Sequence, residues 1–244
     1  MSSKVLWPKA LRRPFCKAFF CCMVLTSCRN QETWIYPDPP PSQSAPILKQ
    51  SLAVPPFSDQ RVNANSNYFD LSKIPLLPFG WQDFNCPEGM EKHVNSTIWL
   101  WIPCEDLAKA AAAEVEASHL FEEVFFTRRH SEGQLVLQGN LKSAYYHSKQ
   151  LSYCFGFLAI YPWLLGCPRN YAYNELELVF KLKDNSQRGK VLWEKTYKNL
   201  RSNVGWIYYQ PSDFKYSEIA EELFSQLVAD LRAFLLKYET QGSA

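Results

Sequence analysis

Residues 174–184, NELELVFKLKD, are the stretch that decides the fold class. Apolar and polar positions alternate strictly along it, and a period of two predicts a strand with one buried face. The inward positions are Leu176, Leu178, Phe180 and Leu182. A turn-forming NSQRG at 185–189 then leads into KVLWEKTYK at 190–198, so the two segments together predict an antiparallel hairpin.

Further strands are predicted on the N-terminal side of this hairpin. QLVLQGNLKSAYYH at 134–147 alternates in the same way, and one side of it is expected to carry Leu135, Leu137, Leu141 and Tyr145. A strand at 48–54 ends at two prolines, and LFEEVFFT at 120–127 predicts another strand.

Two helices complete the pattern. One is expected from Pro103 to about His119, with Leu107, Ala111 and Val115 spaced four residues apart. The other is expected from about Ser217 to Tyr238, with an apolar stripe at the same spacing. Together the elements predict an α+β fold, with a mainly antiparallel sheet and the two principal helices on one face.

The N-terminus has the pattern of an export signal. Residues 1–27 carry five cations and no acid, and their apolar segment, Ala18 to Ser27, is about ten residues long. A bilayer-spanning helix needs about 20 apolar residues, so the segment fits a cleaved signal peptide better. An uncleaved signal anchor, or cleavage at another position, is the alternative.

The signal ends in Leu25-Thr26-Ser27-Cys28, which resembles the lipobox of bacterial lipoproteins. The resemblance implies cleavage between Ser27 and Cys28, a diacylglycerol on the Cys28 sulfur, and a further acyl chain such as palmitate on the new N-terminus. Stable anchoring needs more than one chain. Arg29 replaces the acidic residue that retains such proteins at the inner membrane, which favours the outer membrane, with the domain in the periplasm.

Composition divides the rest of the chain. Residues 28–47 are rich in Pro and Ser and predict an extended tether behind the lipidated N-terminus. Residues 48–240 predict a single α+β domain, with a turn-rich irregular excursion at 62–98. After residue 27 the net charge is about −3, so the chain has no electrostatic footprint for nucleic acid.

Short segments of this domain carry a second resemblance. PFSDQR at 56–61, HLFEEVFF at 119–126 and LVLQGNL at 135–141 resemble the α+β domains of periplasmic lipoproteins, including ABC-transport auxiliary lipoproteins and the TolB amino-terminal type. IPLLPFGWQDFNCPEGM at 74–90 and PWLLGCP at 162–168 are similar to a group of uncharacterised bacterial lipoproteins. The resemblance covers about residues 47–239 and implies an accessory role, with lipid or solute transport as one form.

Four cysteines remain in the domain: Cys86, Cys104, Cys154 and Cys167. An even number in an oxidising compartment predicts disulfides, and pairs Cys86–Cys104 and Cys154–Cys167 would each close a short loop and contribute about 3 kcal/mol. Four buried free thiols are the alternative. No two cysteines have the two-residue spacing of a zinc site, so no metal site is expected.

Sequence signatures of catalysis and of cofactor binding are absent. We therefore expect no enzyme and no cofactor. The four histidines, His93, His119, His130 and His147, have no Ser or Cys partner in the sequence and are interpreted as surface or helix-end residues. Asp59 and Arg61 are expected to form a local ion pair at the end of the first strand.

Apolar segments at 74–84 and 155–166 remain. They either cover one another and the sheet, or form an exposed surface for a partner protein, lipid or membrane. The candidates for that surface are Trp81, Phe84, Phe157, Trp163 and Leu164. The sequence thus predicts a membrane-anchored, non-enzymatic accessory or scaffold component of an envelope assembly. The alternatives are an envelope hydrolase or lipid-modifying enzyme with an unrecognised site, and a surface-displayed binding protein.

Overall fold

A computed structural model describes residues 30–42, 45–62, 64–85, 93–94, 97–129, 133–187, 189–209, 212 and 214–242. The predicted signal peptide at 1–27, the lipidation residue Cys28 and the disulfide candidate Cys86 lie outside these residues. Within the described ranges, no helix combines the length and the apolar character that crossing a bilayer requires.

Regular structure covers most of the described residues. The strands are β1 (Asn30–Thr33), β2 (Leu48–Val54), β3 (Ser58–Asp59), β4 (Ser66–Asn67), β5 (Phe79–Phe84), β6 (His93–Val94), β7 (Thr97–Leu100), β8 (Phe121–Phe126), β9 (Leu135–Leu151), β10 (Asn170–Asp184) and β11 (Lys190–Gly205). The α-helices are α1 (Pro103–Ala117), α2 (Ile160–Leu164) and α3 (Tyr216–Gly242), and 3-10 helices cover Phe69–Lys73 and Gly156–Ala159.

β9 organises the main sheet because it pairs along both of its edges. β10 runs antiparallel to it over nearly its whole length, and β11 continues antiparallel on the far side of β10. The other edge of β9 contacts β2 and β3 in parallel and then β5 antiparallel. β2 also pairs in parallel with β8. A separate small sheet has the order β1-β7-β6.

Both long helices pack on the same face of this sheet. α1 contacts β8, β2 and α3, while α3 contacts β10 and β11, and one continuous apolar cluster joins all of these elements. All predicted apolar positions of both helices and of β10 except Tyr238 are buried in it, among them Leu107, Ala111, Val115, Leu176, Phe180, Leu223 and Leu227. Tyr238, predicted as the last residue of the apolar stripe on α3, is 38% exposed because it lies near the end of α3, beyond the sheet contacts. The predicted α+β class, the mainly antiparallel sheet and the placement of the helices are confirmed.

The pairing of β9 with β10 contains a bulge. Glu177 lies opposite Ser143, but the next residue, Leu178, lies opposite Leu141, so Lys142 is an extra residue in β9. An extra residue on one strand reverses which side chains face the core beyond that point.

Burial along β9 changes parity at this bulge. Leu137 and Leu141 are buried before it, whereas Ala144 and Tyr146 are buried after it. The prediction that Tyr145 shares a side with the upstream leucines is therefore wrong, because the bulge turns Tyr145 to the opposite, outer face of the sheet.

The segment predicted as a free tether is packed against the domain. β1 pairs in parallel with β7. The Trp34 ring stacks on Trp101 with 5.5 Å between ring centroids, and the Tyr36 hydroxyl donates to Glu114 at 2.9 Å. For residues 30–42 the expected tether is thus corrected: the prolines keep the backbone extended, but the two aromatic rings attach it to α1 and the core.

Part of the excursion predicted at 62–98 joins the main sheet. β4 pairs with β5, and β5 pairs with the last six residues of β9. The 3-10 helix Phe69–Lys73 lies against β5, where a methyl group on Gly80 would come within 2.3 Å of the Phe69 carbonyl oxygen. Only glycine therefore permits this close approach.

The described cysteines are free thiols. Cys154 and Cys167 form no disulfide, so the expected Cys154–Cys167 bridge is wrong. Cys104 is also a free thiol, and Cys86, its expected partner, lies outside the described residues. Cys104 instead packs against the core from the first turn of α1, and burial raises the pKa of its thiol to about 11. A thiol held in its protonated form in this way is a poor nucleophile for disulfide exchange.

Tyr216 at the start of α3 provides a test of the core. Its ring stacks on Trp101 at 4.6 Å, and its fully buried hydroxyl has no hydrogen-bond partner among the described residues. Because a buried unpaired hydroxyl costs free energy, Tyr216→Phe is expected to raise the unfolding free energy by about 1 kcal/mol in urea denaturation. A loss of stability instead would reveal a bound water as its partner.

Candidate functional site

A groove of about 450 Å³ lies on the outer face of the sheet, opposite the helices. It is open to solvent along one side, and β5, β9 and β10 supply its walls. Its lining side chains are Phe79, Trp81, Asp83, Tyr145, His147, Lys149 and Tyr173. We call the surface formed by these side chains the groove.

The strand register aligns the side chains of the groove in rows that run across the strands. Trp81 of β5 lies opposite Lys149 of β9, and Asp83 lies opposite His147. The second row continues onto β10, where Tyr173 lies opposite His147. Because alternate residues of a strand share a face, three outward positions on each of β5 and β9 are enough to form the surface.

Asp83 is the polar centre of the groove. Its carboxylate accepts hydrogen bonds from Ser66 at 2.6 Å and from the Tyr145 hydroxyl, and it lies 2.6 Å from Nδ1 of His147. Burial alone would raise the pKa of Asp83, but these hydrogen bonds outweigh burial and hold it below the usual range. A carboxylate stabilised by three donors is a fixed anion and a weak base.

Aromatic rings surround this centre. The ring centroids of His147 and Tyr173 are 5.0 Å apart, and those of Tyr145 and Tyr173 are 5.7 Å apart. Burial, followed by the hydrogen bond to Asp83, raises the pKa of Tyr145, so its phenol stays protonated and remains a donor. On the far side the Lys149 ammonium lies 5.0 Å above the Phe79 ring.

The sequence did not reveal this site. His147 was expected to be a surface or helix-end residue without a Ser or Cys partner, whereas the structure places it beside Asp83. A usable signal was present in the period-two spacing of Tyr145, His147 and Lys149. The bulge at Lys142, which brings these three residues to the outer face, leaves no comparable mark in the sequence.

Acidification should weaken the Asp83 network. The pKa of Asp83 is lower in the folded state than in the unfolded state. Its contribution to the free energy of unfolding is therefore fully present above the unfolded-state pKa, and it is lost as pH falls through the folded-state pKa. Asp83→Asn should cost on the order of 1–3 kcal/mol in urea unfolding at pH 7, and this deficit should shrink in strong acid. Asp70→Asn, at a mostly exposed carboxylate, is the control and should change little. A deficit that is constant with pH would contradict the network.

A second surface, the end patch, lies where β9 ends and β10 begins. It is built from the turn at 74–77 and from residues 155–165, which contain no charged residue. Leu165 is 86% exposed, Leu76 is 83% and Phe157 is 74%. The remaining members, all substantially exposed, are Leu77, Phe155, Leu158, Ile160, Tyr161 and Leu164.

Close backbone contact holds the two parts of the end patch together. The Leu76 amide donates to the Cys154 carbonyl at 2.9 Å. Gly156 adopts a positive φ of 55°, and a methyl group there would come within 2.6 Å of the Lys73 carbonyl oxygen. Glycine at this position thus lets the 3-10 helix Gly156–Ala159 lie directly on the turn.

The structure divides the five residues that were predicted to form an exposed surface. Phe157 and Leu164 belong to the end patch. Trp163 lies at its base, donating from the indole to the Leu151 carbonyl at 2.9 Å. Trp81 lines the groove, while Phe84 packs against the core and stacks on Tyr146.

Other predicted polar residues are also placed. Arg61 and Asp59 form the expected ion pair, with 2.6 Å between Nη2 and Oδ2. His119 follows the C-terminus of α1, has a positive φ of 50° and forms no ion pair in the part of the chain that the structure describes. In the same part, no group of three or more His, Cys, Asp or Glu side chains could hold a metal ion.

Comparisons with known proteins give similarities at the level of the fold. No protein-family model matches the chain, and no curated protein matches it significantly. It is similar to a crystal structure of a Xanthomonas campestris protein described by the family model DUF330, with 14% identity and a TM-score of 0.47, over 88% of this chain and 98% of that chain. It is also similar to the PelC dodecamer of Paraburkholderia phytofirmans, with 13% identity and a TM-score of 0.36, over 79% and 92% of the two chains.

These structural neighbours are bacterial proteins, and one of them forms dodecamers. At such identities the likeness concerns the fold alone. The lipobox and the resemblance to TolB-type domains remain predictions from the sequence.

Proposed function

We propose that this protein is a lipid-anchored, non-enzymatic accessory component of a bacterial envelope assembly, and that its end patch faces the membrane. Cys28 carries the acyl chains in this proposal, at the outer membrane. The observation that supports it is that the connection between β11 and α3 contacts both the end patch, through Tyr208, and the N-terminal segment, through Phe214.

The connection between β11 and α3 contacts both features. It leaves β11 at the end of the sheet where β9 also ends and β10 begins. Trp34, six residues after Cys28, contacts Phe214 at 6.3 Å between ring centroids, just before α3. Tyr208, on the same connection between β11 and α3, donates from its hydroxyl to the Leu164 carbonyl of the end patch at 3.0 Å.

The composition of the end patch suits a membrane interface. Leu, Ile and Phe can enter the region between headgroups and acyl chains, while Tyr and Trp rings prefer the interface itself. No charge has to be desolvated, because residues 151–168 contain none. Exposing so many large apolar side chains to water is unfavourable, and contact with a bilayer would remove that cost.

The two attachments would have different roles. Acyl chains on Cys28 would retain the protein at the membrane, since two or more chains bind far more tightly than one. The end patch would fix the orientation of the domain, because β1 begins only two residues after Cys28 and leaves little free chain. The sides of the sheet and helices would then remain available to an envelope partner protein.

Photo-crosslinking of the full chain, expressed with its signal sequence in a Gram-negative bacterium, tests the orientation. A photoreactive phenylalanine at position 157 should form adducts with phospholipid. The matched control is position 236, because Leu236 is a half-exposed apolar residue on α3. It should form no such adducts. Adducts at position 157 with protein only would assign the end patch to a partner and contradict the membrane orientation.

A Cys28→Ser chain tests the anchor separately. It should carry no acyl label, whereas Phe157→Asp and Leu165→Asp chains should keep the label of the natural chain. An unlabelled natural chain would overturn the lipoprotein assignment. Turnover of a lipid or glycan substrate by the purified protein would overturn the non-enzymatic role.

A further inference from the structure

The groove has features that the anchoring role does not use. It lies on the open face of the sheet, and its rings are attached to β-strands, which position side chains more rigidly than loops do. Trp81 is held from behind by Tyr68, with 5.0 Å between ring centroids, and it meets Phe79 edge-on at 6.0 Å. Aromatic side chains supported in this way have little conformational entropy left to lose on binding.

Polar groups alternate with these rings. Asp83 is a fixed acceptor, the Lys149 ammonium is a donor, and Tyr173 adds a phenol from β10 on the other side of β9. The Asp83 side chain is 17% exposed and that of His147 is 12%, so both form the floor of the groove rather than its rim. The surface therefore offers apolar faces and hydrogen-bonding groups at intervals of one strand spacing, about 5 Å.

The charge balance limits which ligands fit. The groove carries one carboxylate and one ammonium, so it lacks the excess of cations that phosphates and nucleic acids require. A lipid tail would bury the Lys149 ammonium against hydrocarbon, where its one described contact is the Phe79 ring, and burying an unpaired charge is costly. Small-molecule ligands usually bind in sites that enclose most of their surface. An open groove is better suited to a polymeric ligand, whose successive units can bind along it.

We propose that the groove binds an oligosaccharide of low net charge. A pyranose ring has an apolar C–H face, which would stack on Trp81 and Tyr173, and hydroxyl groups at its rim, which would bond to Lys149 and Asp83. Sheet faces of small β-domains bind oligosaccharides in this manner. The proposal does not depend on the lipid anchor, because none of the groove residues contributes to the end patch.

Calorimetric titration of the mature chain with three hexasaccharides tests this inference. The probes are cellohexaose, which is neutral, chitohexaose, which carries N-acetyl groups, and hexagalacturonic acid, which is anionic. At least one of the first two should bind, and more tightly than the acid. Trp81→Ala should weaken that binding about tenfold or more. Tyr238→Ala, a ring on the helical layer, is the control and should bind as the natural chain does.

Tyr173→Ala and Lys149→Gln keep the test informative if Trp81→Ala fails to fold. Each should weaken binding several-fold while the circular dichroism spectrum is unchanged. The inference is wrong if none of the three probes binds at 10 mM (about the limit of useful affinity for such a surface), or if all variants bind equally. Binding of an unfolded polypeptide such as reduced casein, lost in the same variants while no hexasaccharide binds, would assign the groove to peptides instead.

Discussion

A Phe180→Ala chain is expected to unfold with a free energy about 3–5 kcal/mol lower than that of the natural chain. Phe180 is fully buried at the centre of β10. Its ring meets Phe57 at 5.4 Å, Tyr197 at 6.0 Å and Phe224 at 6.1 Å between centroids, and so joins the sheet to α3. Phe57 and Tyr197 belong to the sheet side of the core, and Phe224 belongs to the helical layer.

The size of this loss follows from how little the site can relax. Three rings that pack around Phe180 belong to separate elements, so none can move into the cavity without disturbing its own neighbours. Urea unfolding followed by circular dichroism measures the change. Lys181→Ala, the next residue on the outer side of the same strand, should lose less than about 1 kcal/mol. Equal losses for the two variants would contradict the central role of Phe180.

Gly80→Ala is expected to cost about 1–3 kcal/mol and to disturb the groove as well. The new methyl group would lie 2.3 Å from the Phe69 carbonyl oxygen, 2.7 Å from the Ser72 amide nitrogen and 2.8 Å from the Tyr68 carbonyl oxygen. All three are backbone atoms, so no side-chain rotation relieves the contact. β5 must move away from the 3-10 helix, and Trp81 moves with it.

Two measurements separate this effect from a general cost of replacing glycine. Limited proteolysis should cut the Gly80→Ala chain faster between residues 64 and 85. Gly166→Ala is the control: unlike Gly80, Gly166 has a positive φ, of 92°, but its added methyl group would meet nothing within 4 Å. It should cost about 1 kcal/mol from backbone strain alone. Similar stability and proteolysis in the two variants would contradict the steric argument.

The elements that were predicted well are those whose signal is local. The hairpin of β10 and β11 follows from alternation and a turn within one short stretch, and α1 and α3 follow from apolar spacing within single segments. Each is specified by neighbours in sequence, so the pattern and the structure have the same period. The ion pair of Asp59 and Arg61 is equally local.

The parts that were missed depend on distant pairing. β5 lies within a turn-rich stretch of the sequence, and it becomes a strand because β9 offers an unpaired edge beyond β3. The groove depends in addition on the extra residue Lys142, whose effect appears only once β9 and β10 are aligned. Propensity and periodicity cannot report a register shift between two strands.

The packing of the N-terminal segment against the domain was not predicted either. Its prolines do indicate an extended backbone, and the structure has one. Composition alone, however, did not reveal that Trp34 and Tyr36 would find aromatic partners on Trp101 and Phe224. Two large rings in a proline-rich stretch were the available signal, since such rings seldom remain in water.

That docking has a consequence for the order of folding. Trp34 and Tyr36 come early in the chain, yet their partners Phe214 and Phe224 lie just before and within α3. Contacts this distant in sequence close a very large loop and can form only after α3 has been made. Under the proposed lipid anchor, acylation of Cys28 could therefore precede the docking of the two rings. Completion of the fold would then pack those rings against the domain.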